Sequence, residues 1–93
     1  MRMSKTRDAI LREAIRHFGP MSQRQKAIEE LGELIVELAR PLEREDRDAI
    51  AEEMADARIM LGQLEMLFEN RDRVREIEWF KLTRLKERMD END

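Results

Sequence analysis

The chain has 93 residues, 43% of them charged and only 4% aromatic, with a net charge of −4 and no cysteine. That length fits one small domain over residues 1–93, near the lower limit at which a single copy buries enough surface to stand alone. Disulfides and thiolate metal sites are excluded. A general binder of nucleic-acid polymer is disfavoured, because no excess of basic residues awaits a phosphate backbone. No apolar run has the length of a secretory signal or a membrane span, so a cytoplasmic protein with no membrane partner is expected.

The elements read as four helices. The first is predicted over Ser4 to Phe18, with Ile10, Leu11, Ala14, Ile15 and Phe18 at helical spacing, and Gly19-Pro20 stops it. Ser22 with Gln25 three residues on has the form of a capping box, which starts a second helix that runs to Arg40, before Pro41. Its apolar stripe is Ile28, Leu31, Leu34, Ile35 and Leu38. The charged linker Leu42-Glu43-Arg44-Glu45 leads to a third helix over Asp46 to Glu69. A turn near Asn70 precedes a fourth over Asp72 to Met89, and Asp90 to Asp93 form a frayed tail. No segment alternates as a strand does, and the fold class is all-α. Seven methionines read as core filler, and Gly32 as a site of close helix approach.

Four carboxylates in two helical pairs are the most informative feature. Glu30 and Glu33, and Glu53 and Asp56, are each spaced i, i+3, so each pair projects from one helix face a turn apart. The ordinary reading of a helical Glu in so charged a chain is a solvated face. Helix two does not depart from it: Glu30 falls just beyond Leu34, and Glu33 on the polar side. Helix three does. Ile50, Ala57, Met60, Leu61, Leu64, Leu67 and Phe68 form one broad stripe, and Glu53 projects inside it, within roughly 20° of Met60 and Leu64. Asp56 lies at its edge. A carboxylate in an apolar stripe must be paired, protonated or metal-bound. On the wheel alone, a metal site and an ion pair with Arg stand even.

The order of the motifs adds a resemblance. Glu-Glu-x-x-Glu, nineteen residues, then Glu-x-x-Asp resembles the signature of the MazG-like all-α nucleoside triphosphate pyrophosphatases. The flanks are similar as well: His17-Phe18-Gly19 with Gln23 and Ala27-Ile28-Glu29-Glu30; Ala51 to Leu61 with Gln63-Leu64; and Lys81 to Arg88. The likeness spans residues 8 to 88 and implies a short, single-domain, four-helix MazG-like bundle completed by homodimer or homotetramer formation. It further implies Mg²⁺, or Mn²⁺ in its place, held by Glu30, Glu33, Glu53 and Asp56. The reaction implied is hydrolysis of a nucleoside triphosphate between the α and β phosphates, giving monophosphate and pyrophosphate. Glu29 is implied as the group that orients or deprotonates the attacking water, which with Glu30 and Glu53 makes the catalytic set.

Cations for the triphosphate are sought in Lys26, one turn before Glu30, and in Lys81 and Arg84, one turn apart on the last helix. Gln23 matches a position of the family near the nucleotide pocket. Each of these has the plain alternative of solvated helix surface. Trp79 and Phe80 can stack on a base, although an aromatic pair on a helix is more commonly core or interface. His17 reads as an exposed residue at the end of helix one. No Gly-rich phosphate loop and no Ser/His/Asp arrangement is present. The contrasting reading is a helical interaction or nucleotide-sensing protein whose carboxylates form ion pairs. Base preference is not legible.

Overall fold

The computed structural model describes residues 6–91. Its helices are α1 (Arg7–Phe18), α2 (Pro20–Leu38), α3 (Arg47–Phe68) and α4 (Arg71–Glu91), with a 3-10 turn at Leu42–Arg44. There is no strand among the described residues, so the all-α reading holds, and no helix is long and apolar enough to cross a membrane. The expected start at Ser4 and the tail residues Asn92 and Asp93 lie outside the described residues. Asp90 and Glu91, expected in the tail, continue α4.

Local chemistry explains each boundary. The Thr6 hydroxyl accepts from the Ala9 N–H at 3.2 Å and starts α1. Gly19 serves two helices at once. Its N–H donates to the Ile15 carbonyl at 2.8 Å, ending α1, and its carbonyl accepts from the Gln23 N–H at 3.1 Å, opening α2. That junction needs φ of +91°, which glycine adopts without a Cβ penalty. Pro20 then sits at the first helical position, where its missing N–H costs nothing. The capping box expected at Ser22 is therefore superseded, and α2 begins two residues earlier with no side-chain cap. At α3 the Asp46 carboxylate accepts from the Ala49 N–H at 3.0 Å.

Helices α2 and α3 form the main antiparallel pair, and α1 packs on both. Gly62 makes room for α1: a Cβ there would lie 2.8 Å from Leu11 Cδ1 and 2.9 Å from the Arg7 guanidinium. Arg7 donates across the contact to the Arg58 carbonyl at 2.9 Å. Gly32, expected to permit close approach, has no neighbour within 4 Å of a built Cβ. The close approach belongs to Gly62 instead.

The core is small. Leu11, Ala27, Ala57 and Met60 are its buried apolar residues. On α2 the buried positions are Gln23, Ala27 and Glu30, while Ile28, Ile35 and Leu38 of the predicted stripe are about two-thirds exposed. Ile10, Phe18, Leu61 and Phe68 are also exposed, and so are Met21, Met54 and Met89, leaving Met60 as the buried methionine among the described residues. The expected four-helix bundle is not closed within one chain. Helix α4 approaches only α3 among the helices and buries none of its residues. Its first residue is held to α1, where Arg71 donates to both oxygens of Asp8 at 2.9 Å. The radius of gyration is 16.9 Å, against about 12 Å for a compact chain of this length.

The two helical glycines separate helix propensity from packing. Gly32→Ala is expected to raise stability by about 0.5–1 kcal/mol, because the new methyl meets open space in a helix interior. Gly62→Ala is expected to lose that gain, since Leu11 and Arg7 must move. Thermal melts of the two variants test the assignment; equal gains would show that α1 does not pack against Gly62.

Candidate metal centre

The α2–α3 pairing turns three carboxylates toward one another. One oxygen each from Glu30, Glu33 and Glu53 lie within 4.8 Å of one another, with Glu30 buried, Glu53 half-buried and Glu33 exposed. Glu30 and Glu33 follow the helical repeat of α2, and Glu53 enters from α3 one turn before the buried Ala57. Asp56 is half-buried and lies outside this group of three, yet its charge acts on Glu53 and its carboxyl on Glu30.

The three glutamates are not equivalent. Glu30, with a side chain 10% exposed, accepts from Lys26 Nζ at 2.9 Å. That hydrogen bond holds its pKa below the ordinary value against the opposing effect of burial, and it raises the Lys26 pKa in turn. Glu53 is pushed the other way. Burial raises its pKa, and the charges of Glu33 and Asp56 add to the rise. Its Oε2 is inaccessible to solvent and has no hydrogen-bond partner. A buried carboxylate oxygen left unpaired beside other carboxylates is costly. The donor set is all hard oxygen, which suits a Mg²⁺ or Mn²⁺ ion and offers nothing to a soft metal. The residues present therefore fit a divalent cation, with Glu30, Glu33 and Glu53 as the ligands and Asp56 beside them.

Next to the carboxylates lies an open cleft of about 670 Å³ between α1, α2 and α3. Gln23, Lys26 and Glu29 line it from α2, Ala14 and Phe18 from α1, and Met60 and Gln63 from α3. The structure thus brings Gln23, Lys26 and Glu29 to one cavity adjoining Glu30. Lys26 is already engaged with Glu30, and Glu29 is exposed at the rim. Lys81 and Arg84 are not brought there. Lys81 borders a groove on α4 itself with Val74, Ile77 and Leu85, and Arg84 stands 6.0 Å over the Phe80 ring. Trp79 and Phe80 are likewise exposed on α4, away from the cleft, and His17 is exposed with its ring edge-on to Phe18.

Sequence reasoning missed Gln63, which is 3% exposed with an unpartnered Oε1. A signal was present. Gln63 is seven residues after Asp56 and shares its helix face, as Gln23 shares that of Glu30. No protein-family model, no curated protein and no solved structure matches this chain.

The electrostatics at Glu53 give a prediction for the metal-free protein. A carboxyl with a raised pKa binds more protons folded than unfolded, so the contribution of Glu53 to stability is greatest below the ordinary value of 4.5 and is lost as pH rises through the folded pKa, opposite in sign to that of Glu30. Above the folded pKa the ionised carboxylate carries that cost. Glu53→Gln is expected to raise the neutral-pH melting temperature in EDTA and to abolish stabilisation by Mg²⁺. Wild-type protein is expected to gain about 2.7 kcal/mol at a hundredfold excess of Mg²⁺ over its Kd. A metal-dependent shift that survives in the variant would remove Glu53 from the ligand set.

Proposed function

We propose that this protein is a Mg²⁺-dependent nucleoside triphosphate pyrophosphohydrolase of the MazG-like type that works as a homo-oligomer. The observation that carries the reading is the Glu53 carboxylate, set into the α2–α3 interface beside Glu30 and Glu33 with one oxygen buried and unpaired. A bound divalent cation supplies charge neutralisation for phosphate oxygens and lowers the pKa of water. Glu30, Glu33 and Glu53 hold that ion, and Asp56 completes the set from the adjacent turn.

The remaining groups handle the triphosphate. Water attacks the α-phosphorus, the bond to the oxygen bridging the β phosphate breaks, and pyrophosphate leaves. The water's proton passes to Glu29, whose exposed carboxylate at the cleft rim is free of the cluster's burial. Lys26 carries the cation nearest the carboxylates, and would be available to a phosphate oxygen if Glu30 were to hold the metal. Lys81 and Arg84 lie too far along α4 to serve their own chain and act, in this reading, from a neighbouring copy.

Helix α4 supports the oligomer. Val74, Ile77, Leu82, Leu85 and Met89 form one exposed apolar face, and Trp79 and Phe80, 72% and 62% exposed, lie on other sides. An exposed apolar face on an otherwise charged helix is the kind of surface a second copy can cover. The contrasting reading, a nucleotide sensor or interaction protein without turnover, draws on the Lys26–Glu30 ion pair, which already neutralises one carboxylate.

Two experiments test the proposal. Pyrophosphate and monophosphate are expected from a panel of canonical and modified nucleoside triphosphates with Mg²⁺ and not with EDTA, and Glu53→Gln is expected to reduce turnover at least a thousandfold while helical content is retained, ~4 kcal/mol of lost transition-state stabilisation. Orthophosphate as the product would place the cleavage elsewhere, and silence across the panel would favour the sensor. In sedimentation equilibrium, wild-type protein is expected as a dimer or tetramer that Ile77→Glu with Leu85→Glu dissociates; a wild-type monomer would sink the oligomer.

A further inference from the structure

We infer that the cleft between α1, α2 and α3 receives a nucleobase, and that Gln63 reads an N–H donor on its hydrogen-bonding edge through Oε1. This rests on the nucleotide reading above and adds to it the residue that selects among bases.

The first observation is the unpartnered amide oxygen. Gln63 is 3% exposed, lines the cleft, and no group among the described residues donates to its Oε1. An unsatisfied buried acceptor costs about 1–3 kcal/mol, a cost that a ligand's N–H would relieve. The terminal amide torsion has a broad potential, so a turn about it presents the oxygen to the cleft.

The second observation is what surrounds it. Phe18, 60% exposed, Met60 and Ala14 supply flat apolar walls, and a second buried amide, Gln23, faces the same space from α2. Such walls with two amides suit a planar heterocycle with a polar edge. At the rim stand Lys26 and Glu29, adjoining the carboxylates.

The third is spacing. Gln23 precedes Glu30, and Gln63 follows Asp56, by seven residues each. Two helical turns separate the amide layer from the carboxylate layer, about 10 Å along the pair. One ligand fills both layers if it carries phosphates at one end and a base at the other, with a sugar between.

Binding of nucleoside monophosphates in EDTA, followed by NMR titration of the full chain, tests this without metal or turnover. Two matched pairs differ only in the amino donor, CMP with 2-pyrimidinone ribotide and AMP with purine ribotide, and in a third, UMP with its N3-methyl derivative, a methyl replaces the donor hydrogen. In at least one pair the donor-bearing base is expected to bind about ten- to a hundredfold tighter. Gln63→Met, which keeps length and removes the amide, is expected to erase that ratio, spare the donor-lacking partner and melt no lower than wild type. Equal affinities within all three pairs would overturn the assignment. So would a ratio unchanged in Gln63→Met, or a variant that melts lower because the amide has a partner in the folded protein. Pyrophosphate release is read separately: hydrolysis with no base preference sinks only the role of Gln63, and base preference with no hydrolysis sinks only the enzyme.

Discussion

The structure depends on an interface between two helices that contains carboxylates where a small protein would ordinarily place leucines. Helices α2 and α3 pair along their length, and Glu30 and Glu53 occupy the seam with Ala27, Ala57 and Met60. Small alanines let the backbones approach, and the approach is what brings the glutamates within reach of one another. The same closeness makes them repel, raising the Glu53 pKa and leaving its Oε2 unpaired. A cation bound between the helices would offset that repulsion, and metal binding would then be linked to helix pairing.

The rest of the chain shows how little apolar burial supports that seam. Four residues form the buried apolar core, and the only large contribution from α1 is Leu11, seated over Gly62. Helix α4 adds its Arg71–Asp8 bridge, whose partners are both more than a third exposed, which limits its worth. The apolar residues of α4 and the outer face of α2 remain in solvent. A chain of this size has enough hydrophobic side chains for a core, but one copy does not bring them together.

The sequence carried the helices well and the faces less well. Asp46, Gly19-Pro20 and the turn at Asn70 are local signals, and the helices begin and end within a few residues of them. Glu53 was legible for a similar reason: its place in the α3 stripe is set by periodicity alone. The buried face of α2 was not. Of the stripe Ile28, Leu31, Leu34, Ile35 and Leu38, Leu31 and Leu34 are half-buried beside Gln23, Ala27 and Glu30, while Ile28, Ile35 and Leu38 are exposed. Periodicity finds the face that prefers burial and does not say which of two partners buries it. Gln63 was overlooked on the same ground, because a polar residue at a stripe's edge reads as solvated until the partner helix is known.

The Lys26–Glu30 pair bears on the choice between a metal site and a structural ion pair. Ion pairing can relieve a carboxylate only where a cation reaches it, and Lys26 reaches Glu30 because they are one turn apart on the same helix. No such neighbour serves Glu53 among the described residues, whose buried oxygen stays unpaired. Lys26 meets one of the converging carboxylates, and Glu33, Glu53 and the adjacent Asp56 have no comparable cation among the described residues. Lys26 serves Glu30, the most buried of the three, while Glu53, which burial pushes toward its neutral form, has a buried oxygen to which no described residue donates.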